Sequence, residues 1–117
     1  MIDKKEFTID RAIWLRGEGG HASRLLRSSD SKMCCVGIYL EACGVPRNAL
    51  LNERMPCDIS TRYGKFPQFL DTRVPLGCVY DSDCLMATND KVDLDETVRE
   101  TRITQIFANN GVKVQFV

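Results

Sequence analysis

Cys34 and Cys35 stand just ahead of an apolar run that closes at Gly44, and they are the residues of this chain best suited to nucleophilic chemistry. The pair sits where a strand is expected to enter a helix. In a strand, neighbouring side chains point to opposite faces, so one thiol would face the core and the other outward. A thiol at a helix N-terminus feels the positive end of the dipole and loses pKa. Cys35 is then the candidate catalytic nucleophile. His21, the only histidine, would be its base, and Asn89 or Asp90 would orient the imidazole. The competing expectation is plainer: cysteine is a common small core residue, and a histidine in a glycine loop is solvated.

A second chemistry is anion binding. Arg16, Arg24 and Arg27 flank a loop containing Gly17, Gly19 and Gly20. Free loop amides and guanidinium groups could together close over a phosphate. The spacing is neither a P-loop nor G-x-G-x-x-G. Trp14, Asn89 and Asp90 complete the candidate ligand-binding set. No metal is expected. Asp81, Asp83, Asp90, Asp93, Asp95 and Glu96 cluster without the alternating carboxylates and central glycine of a calcium loop. The cysteines, at 34, 35, 43, 57, 78 and 84, contain no C-x-x-C and lack the ligand spacing of a zinc site.

The elements that must position these groups read as follows. Phe7 and Ile9 alternate like a strand, and Asp10 can cap a turn carrying Ile13 and Trp14. Residues 16–23 are a flexible loop. Ser23 to Arg27, the turn Ser28-Ser29-Asp30-Ser31, and Lys32 to Cys35 predict a hairpin. Val36 to Cys43 predicts a helix stopped by Gly44, and Pro46 opens another running to about Glu53. Residues 54–80 are irregular, with Pro56, Pro67 and Pro75. Asp81 or Ser82 caps a short helix that Asn89-Asp90 breaks. Asp93 and Glu96 form a capping box for a helix from Leu94 to about Asn109, burying Val98, Ile103, Ile106 and Phe107. Val112 to Val117 is a strand. The expectation is one α+β domain over residues 1–117: a small antiparallel sheet, from the hairpin near 23–35 and the strand 112–117, packed by three or four helices.

Composition narrows the partners. The 117 residues carry 16 basic and 16 acidic side chains, for zero net charge. Strong nucleic-acid binding wants a basic excess. The N-terminus is charged, with no signal-peptide pattern, and no apolar stretch is long enough to span a membrane. Six cysteines without a secretion signal read as reduced thiols in a cytoplasmic protein. No cofactor is implied.

Three segments carry a resemblance. They are Asp-Arg-Ala-Ile-Trp-Leu-Arg at 10–16, Lys-Met-Cys-Cys-Val-Gly-Ile-Tyr-Leu-Glu-Ala-Cys-Gly at 32–44, and Leu85 to Val117. The pattern resembles a group of small uncharacterised proteins encoded by phages, prophages and bacteria. They share a Cys-Cys-apolar-Gly helix start and a later Asn-Asp turn. The matching positions are Trp14, Cys34, Cys35, Gly37, Asn89 and Asp90; His21 is outside the pattern. The resemblance implies a cytoplasmic protein in a phage or mobile-element context. The leading expectation is a non-enzymatic accessory protein that binds a host protein or a small ligand, with an anti-defence role. The alternatives are a small cysteine-dependent hydrolase or transferase and a sponge for a nucleotide signal.

Overall fold

Glu6-Phe7-Thr8-Ile9 alternates polar and apolar residues, the period of a strand with one face in the core. It forms β1 (Glu6–Ile9), with Phe7 and Ile9 buried. The same alternation near the other end builds β2 (Lys113–Phe116), which buries Val114. In this computed structural model, which describes residues 3–59, 63, 68–70 and 81–117, the two strands pair in parallel. The register is Glu6–Lys113, Phe7–Val114, Thr8–Gln115 and Ile9–Phe116. Among the described residues they are the whole sheet.

This corrects the expected antiparallel sheet with a hairpin near 23–35. Two backbone bonds do cross between the arms, from the Arg27 amide to the Lys32 carbonyl at 2.8 Å and from the Cys34 amide to the Arg24 carbonyl at 3.1 Å, but they build no strand ladder, and the bonds of Leu25, Leu26 and Met33 go elsewhere. The Leu25 amide donates to the Glu53 carbonyl at 2.8 Å, and the Asn52 amide to the Leu26 carbonyl at 2.7 Å. On the other arm, the Leu15 amide donates to Met33 at 2.8 Å and the Met33 amide to Ile13 at 2.9 Å. The resulting contacts, Trp14 with Met33 and Leu26 with Leu51, are single parallel bridges. The Ser28–Ser31 turn does reverse the chain, helped by the Asp30 carboxylate accepting from the Lys32 amide. Turn chemistry specifies a reversal but not which strand each arm will pair with. The C-terminal strand likewise lies where it was expected, but its partner is β1, at the other end of the described chain.

Helix α1 (Cys35–Ala42) is buried from Cys35 through Leu40. A helix apolar on all sides belongs in the centre of a fold. Gly37 permits this, because a Cβ there would overlap the Leu25 carbonyl. Gly44, at φ 99°, ends the helix region. Helix α2 (Arg47–Leu50) follows Pro46 and is shorter than expected, because Asn52 and Glu53 turn back to pair with residues 25 and 26. Helix α3 (Asp81–Asp90) takes Asn89 and Asp90 into its last turn rather than stopping before them. Helix α4 (Glu96–Asn109) starts at Asp95, whose carboxylate accepts from the Val98 amide at 3.2 Å. The expected capping box is therefore displaced: Asp95 is the cap in place of Asp93.

The core is one apolar cluster from Phe7 to Val114. Its centre is a set of rings: Phe7, Tyr39 and Phe107 lie 4.9 to 5.3 Å apart, and Phe69 stands 5.9 Å from Phe107. They join β1, α1 and α4. Val98, expected inside, is 38% exposed, whereas Arg99 is 1% exposed. Most of segment 54–80 lies outside the described residues; within it, Ile59 and Leu70 are buried. Among the described residues no helix is long and apolar enough to cross a membrane.

Candidate functional site

Asn89 is fully buried at the end of α3, and each of its polar atoms is used twice. Its Oδ1 accepts from Trp14 Nε1 at 2.7 Å and from the Cys35 amide at 3.1 Å. Its Nδ2 donates to the Leu15 carbonyl and to Asp90 Oδ1, both at 2.9 Å. A primary amide offers two donors and two acceptor lone pairs, so this side chain is saturated. The Cys35 amide is one of the free donors at the start of α1. Asn89 thus caps one helix from the end of another.

Arg99 performs the complementary task. Its Nη1 donates to the Thr88 and Asn89 carbonyls at 2.7 and 2.9 Å, and Nη2 to those of Lys91 and Leu94 at 2.8 and 3.2 Å. Its Nε reaches Glu96 at 3.1 Å. Five donors meet five acceptors. The cation sits where the carbonyls of α3 end, the favourable end of that dipole. The glycine loop docks on the same helix end: the Gly17 amide donates to the Asn89 carbonyl and the Gly19 amide to the Asp90 carbonyl, both at 2.9 Å. Both glycines have positive φ. These amides hold the loop on α3.

The three candidate arginines have different fates. Arg16 pairs with Glu96 at 2.7 Å and stacks over the Trp14 ring at 4.4 Å. Arg27 pairs with Asp30 at 2.6 Å and Glu18 at 3.2 Å, and its hydrogen bond holds the Asp30 carboxyl down at about 2. Arg24 donates from Nη1 to the His21 and Ser23 carbonyls and has no carboxylate partner among the described residues.

Cys34 and Cys35 are both inside the fold, 2% and 0% exposed. Burial pushes the Cys34 thiol up to about 12, opposed by nearby backbone amides. It pushes Cys35 well above the usual thiol value, and the neighbouring Cys34 and Asp90 add to that. Desolvation outweighs the helix dipole here. His21 is exposed on the loop. Asn89 and Asp90, the proposed orienting groups, are bonded instead to Trp14, Cys35, Leu15, Ser23 and each other. Burial also raises the Asp90 carboxyl, against the bonds from Asn89 and Ser23 and the charge of Arg99.

The fold therefore gathers Trp14, Asn89, Asp90, Cys34, Cys35 and Arg16 around one node, with His21 and Arg27 outside it. Sequence reading missed Arg99. Its signal was present: Arg99, Ile103 and Phe107 are spaced by four, so the arginine shares the buried stripe of α4. Among the described residues no group of three or more histidine, cysteine or acidic side chains could hold a metal ion. Comparison with family models finds no match, and neither the curated proteins nor the solved structures yield one.

Proposed function

We propose that this chain is a non-enzymatic accessory protein, of the phage or prophage type its sequence resembles, that binds a host protein or small ligand to blunt a defence pathway. The observation that carries the binding reading is the commitment of its reactive groups to internal contacts. The Cys34 and Cys35 thiols are sealed and held protonated, and the Asn89 amide is saturated. A cysteine nucleophile must reach substrate as thiolate. Recognition then belongs to exposed loop residues such as Glu18, Gly20 and His21, displayed by a loop anchored on α3. Loops positioned by a rigid scaffold are the usual carriers of recognition.

The test is affinity capture from host lysate with the native chain and with a Glu18→Ala, His21→Ala variant. One protein retained by the first and lost with the second supports the reading. Identical retention by both, together with no co-purified small molecule, counts against it. A phosphorylated ligand is the second reading, favoured by Arg24, whose guanidinium has no carboxylate partner among the described residues. A thermal-shift screen with nucleotides checks it, since a ligand at 100 times its Kd adds about 2.7 kcal/mol. No shift with any nucleotide argues against it.

A further inference from the structure

In the parallel ladder, β2 reaches β1 through alternate residues. The Lys113 amide donates to the Lys5 carbonyl at 2.8 Å and the Val117 amide to Ile9 at 3.0 Å, while the Val117 carbonyl accepts from Arg11 at 2.9 Å. Alternation turns the amides and carbonyls of Val114 and Phe116 the other way. Among the described residues no backbone group meets them. Alongside runs a trench between β2 and α4. One part, about 420 Å³, is lined by Phe116, Thr104 and Ala108. The next, about 280 Å³, shares Thr104 and Ala108 and extends to Val112 and Lys113. Natural edge strands are blunted by proline, bulges or several charges. This one carries a single lysine and no proline.

We infer that β2 is a dimer interface, where a second copy of the chain adds its own β2 in antiparallel orientation. The occupant follows from the strand's self-complementarity. A two-fold axis through Gln115 sets Val114 of one copy opposite Phe116 of the other. Such a pair exchanges both of its hydrogen bonds. Two pairs then use all four outward donors and acceptors. Lys113 falls opposite Val117, so no like charges meet across the axis. The product is a four-stranded sheet with two copies of β1 at its edges, whereas an isolated pair of strands is marginal.

Gln115 is exposed and stands opposite itself, so it tests the register without touching the core. Sedimentation equilibrium of the full chain should give twice the 13.2 kDa monomer mass. Gln115→Glu and Gln115→Lys, each placing like charges across the axis, should weaken dimerisation about fivefold. An equimolar mixture of the two should restore it as a heterodimer. Far-ultraviolet circular dichroism identical to the parent confirms that each variant folds. A chain still monomeric at about 1 mM, the weak end of specific association, overturns the inference. So does a dimer that neither variant weakens.

Discussion

At the scale of single residues, removing the Asn89 side chain would leave the Trp14 indole N–H and the Cys35 amide buried without acceptors. Each orphaned buried group costs about 1–3 kcal/mol, so Asn89→Ala should lose about 3 kcal/mol in denaturant unfolding. The thiols next to it give an independent check. With Cys34 held near 12 and both thiols inside, iodoacetamide at pH 8 should leave Cys34 and Cys35 unlabelled in the native chain and label them in denaturant. Rapid native labelling of Cys35 would revive the nucleophile. Asp90 supplies a pH signature. Its carboxyl is raised above the ordinary 3.8 in the folded chain, so the unfolded chain ionises first as pH rises. Stability relative to Asp90→Asn should be greatest below 3.8 and fall as pH climbs through the native value. Parallel stability–pH curves for the two proteins would show that Asp90 is not so held.

At the scale of elements, the start of α4 separates two acids that sequence alone treats as rivals. Asp95 caps the helix through the Val98 amide, and Glu96, the partner in the expected capping box, is drawn to Arg16 and Arg99. Asp95→Ala should cost about 1 kcal/mol of stability and Asp93→Ala almost nothing, by thermal or chemical unfolding. Equal losses would restore Asp93 to the cap. The reason sequence favours the wrong acid is local: both have the right chemistry one turn ahead of an apolar stripe. The choice falls to Asp95 because its carbonyl accepts the first helical bond, from the Arg99 amide at 2.9 Å, which leaves its side chain at the helix mouth. The same logic governs α1. Its helical range was legible from Val36 to Cys43 and its glycine stop was visible, but the cap on its first amide arrives from α3.

At the scale of the whole molecule, Arg99 closes the junction between α3 and α4 on which a distant part of the chain, the glycine loop, docks. It gathers the carbonyls ending α3, the 91–94 connection and, through the Asn89 carbonyl, the glycine loop. Lysine keeps the charge but has three donors and no planar fork. Arg99→Lys should therefore cost about 3 kcal/mol, the scale of breaking a buried charge network. It should also speed hydrogen exchange at the Gly17 and Gly19 amides ahead of the rest of the fold. Uniform exchange across the chain would show that Arg99 does not hold that junction.

Sequence alone determined the features that depend on neighbours a few residues away. These are the strand alternation of Phe7 and Ile9 and within 112–117, the apolar helix after Cys35, the stop at Gly44, and the candidacy of Trp14, Cys34, Cys35, Asn89 and Asp90. Tertiary structure alone decided which strand pairs with which, because a backbone amide at Leu25 or Met33 bonds equally well to any carbonyl brought within reach. It also decided that the thiols are sealed and which carbonyls meet the arginine on the buried stripe of α4. Spacing can place a residue on a buried face, but desolvation and charge compensation are properties of assembled surroundings, and no spacing of residues along the chain states them.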